Sequence, residues 1–267
     1  MSIPTPSENG TCLITGASAG IGTEFARQLA ERGYNVTLAA RRIDRLTELA
    51  AELEDTHGVR AIAVACDVTD AKQRQELIDA IHARGDQIDI LVNNAGIGTE
   101  GAFDSFTLEE HQSQIDVNVS ALTAMTSLAL PHMLEAKSGA ILNVSSTASF
   151  QPMPRQAVYA ATKAYVTSLS QALAQELRGT GVSVTVLCPG PTRTEFFGEK
   201  QAEIEAGSPG WAWQTAADCA RDGLDAMFKQ KRVVIPRVVN RAGAVSAKLT
   251  PTRVTVEVLD RFWPMGK

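Results

Sequence analysis

Residues 11–22 read Thr-Cys-Leu-Ile-Thr-Gly-Ala-Ser-Ala-Gly-Ile-Gly, a short apolar run that ends in a glycine-rich turn. The apolar run predicts a buried strand, and the helical spacing of Ile21, Phe25 and Leu29 predicts a helix directly after the turn. The glycines follow the pattern G-x-x-x-G-x-G and not the commoner G-x-G-x-x-G. Glycine permits a tight turn and lets a ligand approach the backbone closely. Because the turn opens a helix N-terminus, we expect it to bind the phosphates of a dinucleotide.

Strand and helix patterns alternate along the rest of the chain. Further strands are predicted at residues 35–40, 60–65, 88–92, 140–144, 182–187 and 232–235. Helices are predicted at residues 21–31, 43–57, 70–83, 108–134 with a kink at Pro131, 158–177 and 215–229, and one or two more at 237–267, interrupted by Pro251. The strands are short, continuous and β-branched, which is typical of a parallel sheet buried on both faces.

This alternation predicts an α/β fold, in which parallel βαβ units build a doubly wound sheet. We expect a single Rossmann-type domain over residues 1–267, with a central parallel sheet of about seven strands flanked by helices. Within it, residues 191–214 are expected to form a substrate loop and residues 237–267 a C-terminal extension.

Composition narrows the functional classes. The chain has 267 residues, of which 44% are hydrophobic and 21% charged, and its net charge is −5. Because no long basic run occurs, we expect no nucleic-acid partner. We expect no membrane span and no signal peptide, since no apolar stretch reaches the required length. The four cysteines lack paired spacing and the four histidines lack metal-ligand spacing, so we expect buried free thiols, no metal site and a cytoplasmic location.

The end of the second strand bears on cofactor choice. Folds that bind NAD usually carry an acidic side chain there, which binds the ribose hydroxyls. This chain has Arg41 and Arg42 instead, and its next carboxylate, Asp44, lies in the predicted helix. Guanidinium groups suit a 2′-phosphate through charge-assisted hydrogen bonds, so we expect NADP(H) to be preferred over NAD(H). The alternative is that the two arginines merely start a solvated helix.

Tyr159 and Lys163 lie four residues apart on a predicted helix and therefore share one face of it. An ammonium group close to a phenol favours the phenolate, so Lys163 is expected to lower the pKa of Tyr159 and to make it useful in proton transfer. Tyrosine and lysine also occur at this spacing on many solvated helices, and the pair decides nothing alone.

Several separate motifs of this chain resemble those of the classical short-chain dehydrogenase/reductase family, over about residues 11–194. Residues 15–22 match TGxxxGxG, residues 93–96 match NNAG, and Tyr159-x-x-x-Lys163 matches the family's catalytic pair. The cofactor residues implied by this resemblance, together with the arginine argument, are Gly16, Ser18, Gly20, Ile21, Gly22, Arg41, Arg42, Asp67, Val68, Asn94, Ala95, Gly96, Tyr159, Lys163, Pro189, Gly190, Thr192 and Thr194.

The resemblance also implies the catalytic residues Asn118, Ser146, Tyr159 and Lys163. The family commonly places its serine 13 residues before the tyrosine, which selects Ser146 over the adjacent Ser145. In this family the serine holds the carbonyl oxygen and the tyrosine gives it a proton. The lysine binds nicotinamide-ribose hydroxyls, and the asparagine holds a water that leads to solvent.

The implied activity is NADP(H)-dependent hydride transfer between the nicotinamide and a carbonyl or secondary alcohol. Aromatic and apolar loop residues predict a hydrophobic small-molecule substrate; they are Phe150, Met153, Phe196, Phe197, Trp211 and Trp213. The resemblance further implies a homodimer or homotetramer. Two alternatives are an NADP-binding sensor or scaffold without catalysis, and an epimerase or dehydratase of the extended relatives. The extended relatives, however, favour TGxxGxxG and a larger C-terminal domain.

Overall fold

Seven parallel strands form the central sheet of the protein, for which we use a computed structural model that describes residues 3–196, 198, 205 and 210–262. They are β1 (Gly10–Thr15), β2 (Val36–Ala40), β3 (Ala61–Ala65), β4 (Gln87–Asn93), β5 (Gly139–Val144), β6 (Val182–Leu187) and β9 (Val233–Val234). Their spatial order is β3-β2-β1-β4-β5-β6-β9, and every pairing is parallel. The predicted doubly wound sheet is confirmed.

The helices lie between the strands, as the alternation predicts. They are α1 (Gly20–Glu31), α2 (Ile43–His57), α3 (Ala71–His82), α4 (Leu108–Ile115), α5 (Leu122–Ala136), α6 (Ala157–Glu176), α7 (Ala216–Phe228), α8 (Val238–Leu249) and α9 (Thr252–Phe262). Short 3₁₀ turns occur at Phe103–Ser105, Thr147–Phe150 and Gly210–Ala212. The extension therefore contains two helices, which are separated at Pro251 as expected.

Strand order reverses between β1 and β4, and this reversal positions the site. From β1 the chain adds β2 and β3 on one side, and β4, β5, β6 and β9 follow on the other. The connections that leave β1 and β4 therefore diverge, which opens a crevice at the carboxyl ends of the strands. The glycine-rich turn leaves β1 at this point.

The core lies on both faces of the sheet. On β1, Cys12 and Ile14 belong to the apolar cluster that α1, α2 and α7 cover. Leu13 points the other way, into the cluster that α3 and α5 cover. This alternation follows from the two-residue period of a strand. Because both faces of the sheet are covered by helices, the strand sequences are continuous apolar runs.

Local hydrogen bonds define several helix ends. The Asp70 carboxylate accepts bonds from the first-turn amides of α3. Thr107 and Glu110 form a reciprocal capping box at the start of α4. Gly58 ends α2 with φ +66°, a left-handed conformation that favours glycine.

The predicted helix at residues 108–134 is not a uniform α-helix. A π-helical turn at Asp116–Ala121 separates α4 from α5, and Pro131 lies within α5. A π turn is a change of hydrogen-bond pattern and leaves no trace in apolar spacing. Asn118 lies on this turn, so the irregularity coincides with a predicted catalytic position.

A second, two-stranded sheet was not predicted. β7 (Thr192–Arg193) pairs in parallel with β8 (Gln214–Thr215). Thr215, predicted as the first residue of a helix, instead ends β8 and caps α7 through its side chain. This small sheet brings the two ends of the predicted substrate loop together, while Phe197 lies outside the described residues.

The four cysteines are buried free thiols, as predicted. Among the helices that the structure describes, none combines the length and the apolar character needed to cross a bilayer. The extent of a single domain over residues 1–267 stays a prediction.

Asp89 provides a test of packing at the amino end of the sheet. It lies on β4, and burial raises its pKa to about 6. Folding therefore disfavours its ionised form, and the protein loses stability as pH rises from about 4 through about 6. Because Asp89 is only half-buried and solvent screens its charge, we expect Asp89→Asn to stabilise the protein at pH 8 by about 1 kcal/mol, a rise in Tm of a few degrees, with little change at pH 4. Thermal unfolding at the two pH values measures this difference.

Asp86→Asn is the matched control. Asp86 is more deeply buried than Asp89, and Arg60 pairs with it. Removing the charge of Asp86 should therefore lower Tm at pH 8. An unchanged or lower Tm of Asp89→Asn at pH 8 would contradict the assignment.

Candidate active site

A cavity of about 1050 Å³ opens at the carboxyl edge of the sheet, between the glycine-rich turn and α8. It brings together most of the residues that sequence analysis predicts to bind the cofactor or to take part in catalysis. Those that line it are Gly16, Ser18, Gly20, Ile21, Arg41, Arg42, Asp67, Val68, Asn94, Ala95, Gly96, Ser146, Tyr159, Lys163, Pro189, Gly190, Thr192 and Thr194. Gly22 and Asn118 are not in its lining.

The glycine-rich turn is built for close approach to a ligand. Gly16 has φ +66°, and a Cβ there would lie 2.9 Å from the Cα of Ala95. No side chain caps the start of α1, and its first turn carries no acidic residue. The first amide groups of α1 are thus available to an anion, and the positive end of the helix dipole favours one. Gly22 packs directly against the turn, and a Cβ at this position would clash with the carbonyl oxygen of Gly16.

Thr15 and Asn94 fix the crevice between β1 and β4. The Thr15 hydroxyl donates to Val92 O and accepts bonds from the amides of Asn94 and Ala95, both at 3.1 Å. The Asn94 side chain donates to the carbonyl oxygens of Thr15 and Gly16 at 3.0 and 3.2 Å. Asn94 therefore holds the glycine-rich turn in place, a role that the sequence alone did not reveal.

Three charged side chains meet at the Arg42 end of the cavity. The Glu195 carboxylate accepts from Arg42 Nη1 at 3.1 Å and from Arg45 Nη1 at 2.8 Å. These bonds hold the pKa of Glu195 below its usual value. Arg42 Nε also donates to Ser18 Oγ at 3.2 Å. Hydrogen bonds from Thr69 lower the pKa of the Asp67 carboxyl, and the nearby charge of Arg41 adds to this effect. Arg45 and Glu195 were missed because nothing in the spacing of the sequence joins residues 150 positions apart.

The two candidate serines face opposite ways. The Ser145 hydroxyl is buried and bonds to Lys163 O at 2.8 Å and to Thr167 Oγ1 at 2.7 Å, both on α6. Both serines line the cavity, but only the Ser146 side chain is close enough to Tyr159 to act on the pKa of that phenol. The Ser146 Oγ also accepts from the Ala148 amide, which starts the short turn after β5. Of the two, only Ser146 is in a position to meet a ligand together with Tyr159.

Lys163 is 4% exposed, and its Nζ donates to Val144 O at 3.1 Å. Burial lowers its pKa to about 8, so the ammonium form still dominates at neutral pH. Its Nζ lies 5.7 Å from the centre of the Tyr159 ring. Tyr159 and Lys163 are thus adjacent on α6, as their spacing predicts.

The predicted lowering of the Tyr159 pKa is not found. Desolvation by the surrounding protein raises the pKa of Tyr159 to about 12, and the hydrogen bond with Ser146 opposes this rise only partly. The sequence argument counted the charge of Lys163 and not the cost of burying a phenolate. Tyr159 is therefore a protonated phenol at neutral pH.

Asn118 lies behind the lysine. Its Oδ1 accepts from the Ile97 amide at 3.0 Å, and its Nδ2 donates to Ile97 O at 2.8 Å and to Thr162 Oγ1 at 3.0 Å. A Cβ on Gly96 would meet Lys163 Nζ at 3.2 Å and Asn118 Oδ1 at 3.3 Å. The absence of a side chain at Gly96 leaves a small polar space between the two groups.

The predicted apolar loop residues separate into two groups. Met153, Phe196, Trp211 and Trp213 line the cavity. The Phe196 ring lies 5.8 Å from the Tyr159 ring, whereas Trp213 is 3% exposed. Phe150 is not in the lining, because it packs against the Val166 cluster and beneath Lys248.

The C-terminal extension supplies one wall that sequence analysis did not place. Val239, Asn240, Gly243 and Ala244 of α8 line the cavity. Leu259 of α9 packs on the cluster around Met153, and Asp260 pairs with Arg155 at 3.0 Å. Across the described part of the chain, no group of three or more metal-ligating side chains is found.

Comparison with known proteins identifies the family to which the chain belongs. Residues 10–205 match the family model of the short chain dehydrogenases. A relative named sulfoacetaldehyde reductase 2, from Chromohalobacter salexigens, is 35% identical over 90% of this chain and 94% of its own length. The chain therefore belongs to the short-chain dehydrogenase/reductase family. It is an oxidoreductase of the kind that acts on alcohol and carbonyl carbons with a nicotinamide cofactor.

Solved structures agree with this assignment. A short-chain dehydrogenase from Sphingobium yanoikuyae, solved in complex with NADPH, has a TM-score of 0.79 and 36% identity over 89% of this chain and 92% of its own. A 7beta-hydroxysteroid dehydrogenase has a TM-score of 0.85 and 25% identity, covering 97% of this chain and all of its own. The sulfoacetaldehyde reductase and the 7beta-hydroxysteroid dehydrogenase are named for different substrates, so the family does not fix the substrate.

Proposed function

We propose that this chain is an NADP(H)-dependent reductase or dehydrogenase of a hydrophobic carbonyl compound or secondary alcohol. The observation that carries the proposal is that Ser146, Tyr159 and Lys163 line one cavity, with Lys163 Nζ 5.7 Å from the centre of the Tyr159 ring. The catalytically silent sensor remains the formal alternative. The relatives' names, which are those of reductases and dehydrogenases, favour an enzyme.

The cofactor supplies the hydride, and the chain supplies orientation and a proton. Ser146 Oγ and Tyr159 Oη would both form hydrogen bonds with the substrate oxygen. Tyr159 is protonated at neutral pH and so can donate to that oxygen when a carbonyl is reduced. The phenolate that remains is stabilised by the Lys163 ammonium nearby. Burial alone makes Tyr159 a weaker acid, so donation depends on the Lys163 ammonium to stabilise the phenolate that it leaves.

Lys163 also has protons free of its bond to Val144 O, and these are suited to ribose hydroxyls. The polar space beside Gly96 is suited to a water between Lys163 and Asn118. With its amide already bonded to Ile97 and Thr162, Asn118 would hold such a water through a remaining lone pair of its oxygens. This water would return a proton to the site from solvent.

Preference for NADP(H) rests on the cationic end of the cavity. Arg41, Arg42 and Ser18 are grouped there, and a 2′-phosphate would be bound by charge-assisted hydrogen bonds. Glu195 already forms an ion pair with Arg42. A 2′-phosphate must therefore share the Arg42 guanidinium with the Glu195 carboxylate or displace that carboxylate. A homodimer or homotetramer is a proposal that rests on family resemblance, and a cytoplasmic location is one that rests on the free thiols.

Tyr159→Phe tests the reaction directly. Removing the phenolic hydroxyl should lower turnover of carbonyl substrates at least about 100-fold, because general acid catalysis contributes that much. The measurement is NADPH absorbance across a panel of steroid, acyl-thioester, sugar and small aromatic ketones. Cofactor affinity, measured by fluorescence, should change little. Near-normal turnover by this variant would disprove the role of Tyr159.

Adjacent serines provide a matched pair. Ser146→Ala should lower turnover about 100-fold or more while the protein stays folded, because it removes the group that faces the substrate. Ser145→Ala should lower Tm, since it leaves buried partners on α6 unsatisfied at a cost of about 1–3 kcal/mol. Comparable turnover losses in two equally stable variants would refute the distinction.

Cofactor choice is tested by charge changes at the cationic end. Arg41→Asp should weaken NADPH binding about 10- to 100-fold and reverse the preference toward NADH, because a repulsive charge replaces an attractive one. Glu195→Gln should strengthen NADPH binding several-fold with little effect on NADH. Dissociation constants for both cofactors decide this. Equal use of NADPH and NADH by the unmodified protein would contradict the proposal that these arginines select NADP(H).

A further inference from the structure

Exposed apolar side chains are concentrated in the C-terminal extension. Within the described part of the chain, six of the fourteen large hydrophobic side chains that are exposed lie in the short segment from Val238 to Val258. The most exposed are Val238 and Leu249 of α8, at 80% and 81%, and Val245 between them is 50% exposed. Single exposed apolar side chains are ordinary on a protein surface, whereas a group of them marks an interaction site.

These side chains form one stripe along α8. Val238, Val245 and Leu249 follow one another at intervals of seven and four residues, a spacing that places them on one face of a helix. Ala242, which is also exposed, lies on the same face. With 3.6 residues per turn, the residues of α8 that line the cavity lie on the opposite face. The stripe therefore points away from the cavity and into solvent.

The charged side chains of α8 are basic and lie along one flank of the stripe. They are Arg241 and Lys248, which are exposed and seven residues apart. From residue 237 to residue 256 the chain carries four basic side chains and no acidic one, although its net charge is −5. Among the described residues, no carboxylate forms an ion pair with Arg241 or Lys248. The helix thus combines an apolar stripe with an uncompensated positive flank.

We propose that α8 is an interfacial helix, which docks its apolar stripe on a membrane surface that carries anionic lipids. A helix of this kind lies in the plane of the bilayer surface, with its apolar side chains among the upper acyl chains and its basic side chains near the phosphates. Docking does not require a spanning segment, and none is found among the described helices. Because the other face of α8 is a wall of the cavity, docking would hold that wall against the bilayer.

A second copy of this chain fits the face less well. A two-fold contact joins the same surface of both copies, so α8 would pack on α8. Arg241 and Lys248 of the two copies would then come together, and the helix has no carboxylate to compensate their charge. An anionic lipid surface supplies both an apolar layer and the compensating negative charge.

Cosedimentation with lipid vesicles tests the docking surface. The unmodified protein should bind vesicles of phosphatidylglycerol and phosphatidylcholine at least about tenfold more tightly than vesicles of phosphatidylcholine alone, and added salt should weaken this binding. Arg241→Gln and Lys248→Gln should each weaken it about fivefold, which is the contribution of one basic side chain near an anionic surface. Leu249→Gln should weaken it about tenfold, because a polar side chain replaces one that inserts.

Leu108→Gln is the matched control. Leu108 starts α4 and is 74% exposed, close to the exposure of Leu249, but two glutamates follow it. This change should leave vesicle binding as it was. Since the altered side chains are all exposed, each variant should keep the Tm of the unmodified protein.

A fluorescent label locates the contact directly. The four native cysteines are buried, so a thiol introduced by Leu249→Cys can be labelled selectively with an environment-sensitive dye. Its emission should shift to shorter wavelength when anionic vesicles are added, whereas the same label at Leu108→Cys should not respond. Equal responses at the two positions would show that α8 is not the contact and would overturn the inference.

Three further outcomes would overturn the docking surface: no binding to anionic vesicles, equal binding to both kinds of vesicle, or unchanged binding in Leu249→Gln. Sedimentation velocity examines the other occupant. A smaller oligomer in Leu249→Gln, with no vesicle binding by the unmodified protein, would assign the face to a second copy of the chain. Vesicle binding is measured without substrate or cofactor, so its result is independent of the proposed function.

Discussion

A buried ammonium group is the constraint on which the rest of this site depends. Lys163 is almost fully removed from water, and its charge is costly there unless polar groups surround it. Val144 O at the end of β5 accepts one of its protons, and Asn118 Oδ1 lies across the space left by Gly96. Three separate parts of the chain must therefore meet at one point for the lysine to be tolerated.

Neighbouring contacts follow from that requirement. Ser145 bonds to the backbone of Lys163 and to Thr167, and so ties the end of β5 to α6 at the level of the ammonium group. With Ser145 turned inward, the extended chain directs Ser146 into the cavity, where it meets Tyr159. The Tyr159 phenol reaches this position because it lies one helical turn before the lysine. One buried charge thus organises the strand end, the helix and the pair that faces the ligand.

The fold and the cofactor side could be predicted because their signals are local. The apolar run before Gly16 and the period of α1 are readable within a dozen residues, and Tyr159 and Lys163 need only a helix to become neighbours. The environment of the pair could not be predicted, since burial raises the Tyr159 pKa through atoms from distant segments. For the same reason the pairing of Glu195 with Arg42 and Arg45 left no trace in the sequence.

The residues that recognise the substrate could be identified neither from local sequence patterns nor from family resemblance. The family match stops at residue 205, whereas Trp213 and Asn240, which line the cavity, come later in the chain. Relatives of 25–35% identity can therefore carry names as different as sulfoacetaldehyde reductase and 7beta-hydroxysteroid dehydrogenase. In this chain the described walls beyond the match are mainly apolar. The part of the protein that chooses the substrate must then be understood from its own geometry, because the reaction constrains only the residues that touch the reacting atoms and the cofactor.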